Sequence, residues 1–292
     1  MNNPQYIAAE SLGDALQIKQ QEGEHTRVIA GGTDLILRMR DRVFSPGLLL
    51  DLRRVSLDTI SCHAGEVRLG AYVTLSQILG DEQLAVLFPA LLEACRQFAG
   101  PPIRNRATLG GNLANASPAA DLAPPLMAYD ASIVLASSVG ERVLPLAEFF
   151  TGPGQTVIRA NEILTQIRLP LMPPGTAARF IKLGQRRSMA ISIINVSTRL
   201  TLAKQGTVYE ARIVLGAAAP TPLRAVAAEA VLMGNELSED RVEEAAIAAS
   251  KEISPITDVR ASRNYREKMA QVLVRRALLA SRDELGRSGS ND

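Results

Sequence analysis

The chain has 292 residues, of which 47% are apolar, and its 32 Lys and Arg against 30 Asp and Glu leave a formal charge of +2. This length indicates two domains with buried cores, and the balanced charge provides no basic field of the kind that binds nucleic acid. The two cysteines, Cys62 and Cys95, exclude a disulfide framework, an all-cysteine zinc site and a cysteine-ligated iron–sulfur cluster carried by this chain alone.

The ends and the apolar runs predict a cytoplasmic protein. The N-terminal sequence MNNPQYIAAE lacks the basic stretch and apolar core that mark a secretory signal. No run of about 20 apolar residues predicts a transmembrane segment. The tail 286–292, GRSGSND, is small and polar, and we expect it to be disordered.

The first half of the chain mixes helix and strand patterns. Residues 11–22 predict a helix with Ser11 as its N-cap. The elements predicted after it are a strand over 27–30, a helix at 35–40, strands at 48–52 and 67–73, helices at 75–79 and 84–98, a glycine turn at 108–112, a helix at 121–129, a strand pair at 132–137 and 141–145, and a strand at 163–169.

The segment 170–175, PLMPPG, reads as a linker because it holds three prolines and a glycine. The elements predicted beyond it are antiparallel strands near 178–184, 192–203 and 208–216 and helices at 222–233, 238–251 and 262–282. This order favours an α+β class. We place the domain boundary near residue 175.

Two diglycine segments are the main candidates for a binding site. In the first, AGGTD at 30–34, a strand enters Gly31-Gly32 and a helix leaves. Such a turn exposes backbone N–H groups and lets a ligand approach the chain closely. The alternative is a strand–helix connection that needs a positive φ. The segment is neither a Walker A loop nor a GxGxxG fingerprint.

The second segment, TLGGN at 108–112 followed by ASPAAD at 116–121, adds Thr108 and Asn112 as hydrogen-bonding groups. Asp121 either caps a short helix or accepts a ribose hydroxyl. Two diglycine loops in one domain indicate a long, phosphate-bearing ligand held mainly by backbone, and a dinucleotide fits this better than a mononucleotide.

The other candidates have ordinary structural interpretations. His25 and His63 have no partner at metal-ligand spacing, and both cysteines are expected to be buried thiols. Lys182 and the pair Arg186-Arg187 follow a strand beyond the linker. They form either a solvated basic edge or a set of cations facing a ligand in the other domain.

The two glycine motifs, together with FAGPPIRNRATLGGN at 98–112, NEILTQIRLP at 161–170 and DVRASRNYR at 258–266, resemble the FAD-binding medium subunit of the molybdenum hydroxylases. That family includes xanthine dehydrogenase and aerobic carbon monoxide dehydrogenase. The resemblance implies a p-cresol-methylhydroxylase-type FAD-binding domain of two α+β subdomains, about 1–58 and 59–175. A C-terminal domain over 176–285, with a three-stranded antiparallel sheet and helices, would follow it.

The resemblance also implies which residues bind FAD. The cofactor-binding residues that it implies are Ile29, Ala30, Gly31, Gly32, Thr33, Asp34, Leu35, Phe98, Ala99, Ile103, Ala107, Thr108, Gly110, Gly111, Asn112, Asn115, Asp121, Leu164 and Lys182. Asp121 would hold the adenosine portion, and Lys182 would reach the flavin from the C-terminal domain. Arg186 would tune the flavin. No catalytic side chain and no metal ligand is implied, because the flavin supplies the redox chemistry.

In this family, electrons from a molybdenum cofactor on a large subunit pass through [2Fe-2S] clusters of a small subunit to FAD. The resemblance implies these partners in a dimer of heterotrimers, with an external acceptor. After Arg186, NAD-using xanthine dehydrogenases carry an acidic cluster, whereas this chain reads Arg187-Ser188-Met189-Ala190-Ile191. The acceptor therefore stays open between NAD, a quinone, a redox protein and oxygen. The alternatives are a free-standing FAD oxidoreductase, such as an enolpyruvyl-sugar reductase, and a non-catalytic nucleotide-binding scaffold.

Overall fold

The computed structural model describes residues 4–186 and 189–288, and three main sheets follow one another along the chain. Each sheet packs with helices around an apolar core of its own. None of the helices in these two ranges has the length and apolar character needed to cross a membrane.

The first unit is a three-stranded parallel sheet in the order β1–β3–β2. Its elements are β1 (Gln5–Ala8), α1 (Leu12–Glu22), β2 (Thr26–Ile29), α2 (Leu35–Arg40) and β3 (Leu48–Asp51). Ser11 caps α1 by accepting a hydrogen bond from the Asp14 N–H at 3.1 Å, as predicted. The strand β1 had no clear signal in the sequence. It pairs with β3 and completes the sheet.

The second unit is a five-stranded antiparallel sheet in the order β4–β5–β10–β6–β7. Its strands are β4 (Ile60–His63), β5 (Glu66–Gly70), β6 (Ser132–Ser137), β7 (Gly140–Pro145) and β10 (Ile163–Pro170), and a small hairpin joins β8 (Phe150–Gly152) to β9 (Gln155–Thr156). Its helices are α3 (Leu75–Gly80), α4 (Glu82–Leu87), α5 (Pro89–Gln97), α6 (Pro101–Arg104), α7 (Leu109–Ala114) and α8 (Ala123–Ala128). The predicted pairing of 132–137 with 141–145 is confirmed.

Two expectations for this unit are wrong. The single helix predicted over 84–98 is two helices, because Pro89 has no N–H to donate and begins α5 at its first position. The glycine turn predicted at 108–112 is the first turn of α7, capped by Thr108.

The third unit is a four-stranded antiparallel sheet, not the three-stranded one expected, with three helices packed on it. Its elements are β11 (Thr176–Gly184), β12 (Ser192–Leu202), β13 (Val208–Gly216), β14 (Leu223–Arg224), α9 (Val226–Leu232), α10 (Glu239–Glu252) and α11 (Arg263–Ser288). The fourth strand occupies the start of the helix predicted at 222–233, because Leu223 and Arg224 pair with the end of β13.

The last helix extends further than predicted. Gly286 to Ser288, which the sequence assigned to a disordered tail, continue α11. Leu285 is only 9% exposed and packs in the apolar core of the third unit, so it holds the last turns of the helix on the domain. The remainder of that predicted tail, 289–292, lies outside the described residues.

The third sheet packs against α5 and α8 of the second unit, and carboxylates cross this boundary. Glu93 of α5 accepts a hydrogen bond from the Phe180 N–H at 2.6 Å. Asp130, just after α8, lies 2.8 Å from Arg199 Nη2 and 2.9 Å from Arg212 Nε. These contacts hold the third sheet beside the glycine segments described next.

Candidate functional site

The first glycine segment connects β2 to α2 through a sharp turn. Gly32 has φ +73°, which a glycine adopts without strain. Gly31 serves another purpose, because a Cβ placed on it would lie 1.8 Å from the Arg106 carbonyl oxygen. Both features expected from the sequence are therefore present: Gly32 has the positive φ, and Gly31 allows the close backbone approach.

The second glycine segment is the beginning of α7. The Thr108 hydroxyl accepts a hydrogen bond from the Gly111 N–H at 3.1 Å, and the Gly110 N–H donates to the Ala71 carbonyl at 2.9 Å. Gly110 is buried, and a Cβ on it would lie 2.6 Å from that of Ala71. Gly111 is exposed, but a Cβ on it would lie 2.8 Å from Thr108 Oγ1, so both glycines allow a close contact.

The fold brings the two glycine segments together, although they are about 75 positions apart. A Cβ on Gly31 would lie 3.1 Å from Ala107 Cα, and one on Gly111 would lie 3.7 Å from Ala30 Cβ. From the helix that follows the first segment, Arg38 Nη1 donates to Asn115 Oδ1 at 2.9 Å. We call the place where Ile29–Leu35 and Ala107–Asn115 meet the glycine cleft.

Asn112 gives the glycine cleft an unused acceptor. Its Oδ1 atom is buried and has no hydrogen-bond partner among the described residues. A buried amide oxygen without a donor costs free energy, about 1–3 kcal/mol, and such an atom is usually satisfied by something else at the site. Asn112 is thus placed to accept a hydrogen bond from a ligand in the cleft.

Asp121 and Lys182 meet across the boundary between the second and third units. Lys182 Nζ lies 2.5 Å from Asp121 Oδ2, and both side chains are at least nine-tenths buried. Ser192 Oγ and Asn195 Nδ2 donate to the other oxygen of Asp121, at 2.6 Å and 3.1 Å. The helix that follows Asp121 has no side-chain cap, so the interpretation of Asp121 as a capping residue is wrong.

A cavity of about 310 Å³ opens beside this ion pair. The residues that line it are Gln97, Lys182, Leu183, Gly184, Arg186, Met189 and Ala190. Arg186 is exposed, and its Nη2 donates to the Met189 carbonyl at 2.8 Å. Of the segment that lacks the acidic cluster, Arg187 and Ser188 lie outside the described residues.

The remaining predicted residues lie in two places. Phe98 and Ala99 form the turn before α6, where their carbonyl oxygens accept hydrogen bonds from Arg104 Nη1 at 3.0 Å and 3.2 Å. Ile103 lies in α6 itself and is exposed. Leu164 lies in β10, is 7% exposed and belongs to the apolar core of the second unit.

The comparisons with known proteins cover both parts of the chain. Residues 2–172 match a family model described as FAD binding domain in molybdopterin dehydrogenase, and residues 179–281 match one described as CO dehydrogenase flavoprotein C-terminal domain. The chain belongs to this family of flavoprotein subunits. It is thus an FAD-binding medium subunit of the molybdenum hydroxylase type, an oxidoreductase component.

Individual relatives match over almost the whole chain. The 6-hydroxypseudooxynicotine dehydrogenase complex subunit alpha of Paenarthrobacter nicotinovorans is 32% identical over 94% of this chain and 92% of its own length. The carbon monoxide dehydrogenase medium chain of Hydrogenophaga pseudoflava is 31% identical over 95% and 96%. A solved carbon monoxide dehydrogenase from Hydrogenophaga pseudoflava superposes with a TM-score of 0.92 at 32% identity, covering 96% of this chain and 97% of that one.

The glycine cleft of this medium subunit suits FAD in its hydrogen-bonding groups. Gly31 and Gly111 allow the two segments to lie side by side, and the turn at Gly32 leads into α2, whose first N–H groups have no intrahelical acceptor. The buried Asn112 Oδ1 offers an acceptor. Within the described residues, no group of three or more His, Cys, Asp or Glu side chains could hold a metal ion.

The cysteines differ from each other in a way that the sequence did not indicate. Cys95 is buried, as expected, and burial raises the pKa of its thiol to about 12. Cys62, also expected to be buried, is exposed because β4 is an edge strand of the second sheet.

Sequence reasoning missed four residues that shape the site. Ser192 and Asn195 hold Asp121, Arg104 holds the carbonyls of the turn before α6, and Arg38 reaches Asn115. The signal that could have found the first two is the polar pair in the otherwise apolar run SIINV at 192–196, because a polar side chain in a buried strand needs a partner. The two arginines carried no comparable signal.

Proposed function

We propose that the glycine cleft holds the FAD and that Lys182 closes on it from the third unit. The observation that carries this assignment is the contact of Gly31 with Arg106 and Ala107, which brings the two glycine segments side by side. The residues assigned to FAD binding are Ile29–Leu35, Phe98, Ala99, Ile103, Ala107, Thr108, Gly110, Gly111, Asn112, Asn115, Asp121, Leu164 and Lys182.

Within this set, the backbone N–H groups of Gly32 to Leu35 would face the pyrophosphate. The N–H groups that open a helix have no intrahelical acceptor and are free to bind an anion. Asp121 and Lys182 are in direct contact, at 2.5 Å. We therefore assign both to the flavin portion of the FAD, rather than Asp121 to the adenosine and Lys182 to the flavin.

Bound FAD supplies the redox chemistry, and the chain supplies position and charge. The buried ammonium of Lys182 lies at the cavity with its charge balanced by Asp121, and Arg186 adds a further positive charge there. Positive charge near a group that gains electrons stabilises its reduced form, so we assign Arg186 a tuning role. No proton donor or base among the side chains is required.

The chain works, in this proposal, as the electron-transfer subunit of a cytoplasmic complex. A large molybdenum-binding subunit and a small iron–sulfur subunit would complete a heterotrimer, which pairs into a dimer of heterotrimers. The FAD held by this chain would supply the electron transfer from the iron–sulfur clusters to an external acceptor. The chain would divide into an FAD-binding domain over 1–175, with subdomains about 1–58 and 59–175, and a C-terminal flavoprotein domain over 176–285.

Purification from the native cell tests this proposal. We expect the chain to co-purify with two partners, with molybdenum, iron and acid-labile sulfide in the complex and a flavin spectrum from the chain itself. Activity of the isolated chain without partners would favour the free-standing oxidoreductase instead. Absence of flavin absorbance after reconstitution with FAD would leave only the scaffold interpretation.

A further inference from the structure

The segment DVRASRNYR at 258–266 leads into α11 and forms an ion pair between a buried arginine and a partly buried aspartate, which the proposed function does not use. Arg266 is 2% exposed, and its Nη2 lies 2.7 Å from Asp258 Oδ1. The backbone N–H groups of Arg260 and Ala261 donate to the same carboxylate oxygen, at 2.8 Å and 3.2 Å. The loop thereby fixes the carboxylate, and the carboxylate orients the guanidinium.

The other end of the guanidinium satisfies backbone oxygens of the third sheet. Arg266 Nη1 donates to the Ile193 carbonyl and lies 3.4 Å from the Ala217 carbonyl. Ile193 is the bulged residue of β12, because the pairing passes from Leu183–Ile194 to Gly184–Ser192 and skips it. A bulge leaves a buried carbonyl without a partner in the ladder, and Arg266 supplies the missing donor.

The bulge adjoins the residues that hold the ion pair at the cavity. Ser192 precedes Ile193, and Asn195 follows it by two positions. Both donate to Asp121, whose second oxygen lies 2.5 Å from Lys182 Nζ. A chain of contacts therefore runs from Asp258 through Arg266 and the bulge to Lys182.

We propose that Arg266 and Asp258 are positioning residues for the FAD site. They fix the bulge at Ile193, so that Ser192 and Asn195 hold Asp121 and thereby keep Lys182 at the cofactor. This inference rests on the proposed placement of Lys182 beside FAD.

Hydrogen bonds keep the Asp258 carboxylate in its charged form. Burial alone would raise the pKa of Asp258, but the N–H of Arg260 and the guanidinium of Arg266 lower it to about 2. The carboxylate is therefore charged at neutral pH, and its hold on Arg266 does not vary there.

A double-mutant cycle between Arg266 and Lys182 tests the proposal in the full-length chain. Arg266→Gln should weaken FAD binding about tenfold, the effect of losing hydrogen bonds to a charged group, and Lys182→Met should weaken it comparably. Combining them should add less than threefold to the effect of Lys182→Met alone, because both act through one side chain. Arg275→Gln removes an exposed ion pair of the same helix, to Glu243 at 3.1 Å, and should leave FAD affinity unchanged.

The midpoint potential of the bound flavin provides a second measurement, because a purely structural role of Arg266 would leave this potential unchanged. Lys182→Met and Arg266→Gln should both lower it, and Arg275→Gln should not. Where Arg266→Gln fails to fold, Asp258→Asn replaces it in the cycle. Additive effects on affinity, or an unchanged potential in the Arg266 variant, would overturn the inference while wild-type FAD binding stands. Failure of the wild-type chain to bind FAD would instead reject the proposed function.

Discussion

At Gly31 the position of a side chain is already filled by another part of the backbone. The Arg106 carbonyl oxygen lies 1.8 Å from where a Cβ would be, and a carbonyl cannot move aside as the tip of a side chain can. We therefore expect Gly31→Ala to lower the free energy of unfolding by about 3 kcal/mol, at the upper end of overpacking effects. It should also abolish FAD retention, because the two glycine segments must separate. Urea unfolding and titration with FAD measure the two effects.

Gly80 provides the matched control for this substitution. It ends α3 with no atom within 4 Å of a Cβ placed on it. Gly80→Ala should leave FAD binding unchanged and leave stability unchanged or slightly higher, since alanine favours a helix over glycine. Equal losses in both variants would show that the contact with Arg106 is unimportant.

The sequence predicted individual site residues only where their role depends on their neighbours along the chain. The diglycine Gly31-Gly32 by itself predicts a turn and a close approach to the backbone. The sequence around Asp121 does not predict its partners. Lys182, Ser192 and Asn195 lie more than 60 positions away and reach Asp121 only through sheet packing. Long-range pairing of polar side chains is set by the tertiary fold, and no periodicity records it.

The cap of α7 links a short helix to the glycine cleft. The Thr108 hydroxyl accepts a hydrogen bond from the Gly111 N–H, and Thr108 is 4% exposed. Thr108→Ala should lower the free energy of unfolding by about 1 kcal/mol, as loss of an N-cap does. It should also weaken FAD binding, because the uncapped start of α7 would no longer hold Gly111 and Asn112 in place beside the first glycine segment.

Ser11→Ala separates these two effects. Ser11 caps α1 with the same geometry, through the Asp14 N–H, in a helix that contributes none of the predicted site residues. It should show the stability loss in thermal or urea unfolding without any change in FAD affinity. If Thr108→Ala and Ser11→Ala bind FAD equally well, the cap of α7 does not contribute to FAD binding.

Elements were predictable where hydrophobic periodicity or a cap fixed them, as in α1 and the paired strands β6 and β7. They were missed where pairing alone creates them. The strand β14 is two residues long and exists because Leu223 and Arg224 meet β13, and β1 exists because it lies beside β3. The predicted helix over 84–98 shows the opposite error, since its apolar pattern continued through a proline that ends the backbone bonding.

Across the whole molecule, the second and third units are joined by carboxylates that pair with arginines of the third sheet. Asp130 pairs with Arg199, whose side chain is 4% exposed, and with Arg212. Asp130→Asn should lower the free energy of unfolding by about 2 kcal/mol. This is less than the usual cost of breaking a buried ion pair, because the Asp130 side chain is 39% exposed and Arg199 keeps Glu210 at 2.8 Å.

The exposed pair Arg241–Glu244 provides the comparison. Glu244→Gln should change stability by less than about 0.5 kcal/mol, as for most surface ion pairs. Urea unfolding of both variants measures the difference. If Asp130→Asn costs no more than Glu244→Gln, the carboxylates between the units are not what holds them together.

Each of the three units contains a carboxylate whose pKa is lowered in the folded chain. These residues are Asp51, Glu162 and Asp258. Burial alone would raise each pKa, but hydrogen bonds from the neighbouring arginines and backbone N–H groups outweigh it. A carboxyl group with a lowered folded pKa contributes stability above its unfolded pKa of about 4, and this contribution is lost as the pH falls through the folded value. Acid should therefore weaken all three units together.

Glu162→Gln tests this linkage at the carboxylate of the second unit. Glu162 is 5% exposed and accepts hydrogen bonds from Arg142 Nε at 2.7 Å and from the Arg159 N–H at 2.8 Å. The variant should be less stable than wild type at pH 7, and the difference should shrink as the pH falls below about 4, where the Glu162 carboxylate of the unfolded wild-type chain begins to take up its proton. Urea unfolding at a series of pH values from 7 to about 3 measures both curves, with Glu244→Gln as the exposed control. Parallel curves for Glu162→Gln and wild type over the whole range would mean that the proton affinity of Glu162 is the same in the folded and unfolded chain.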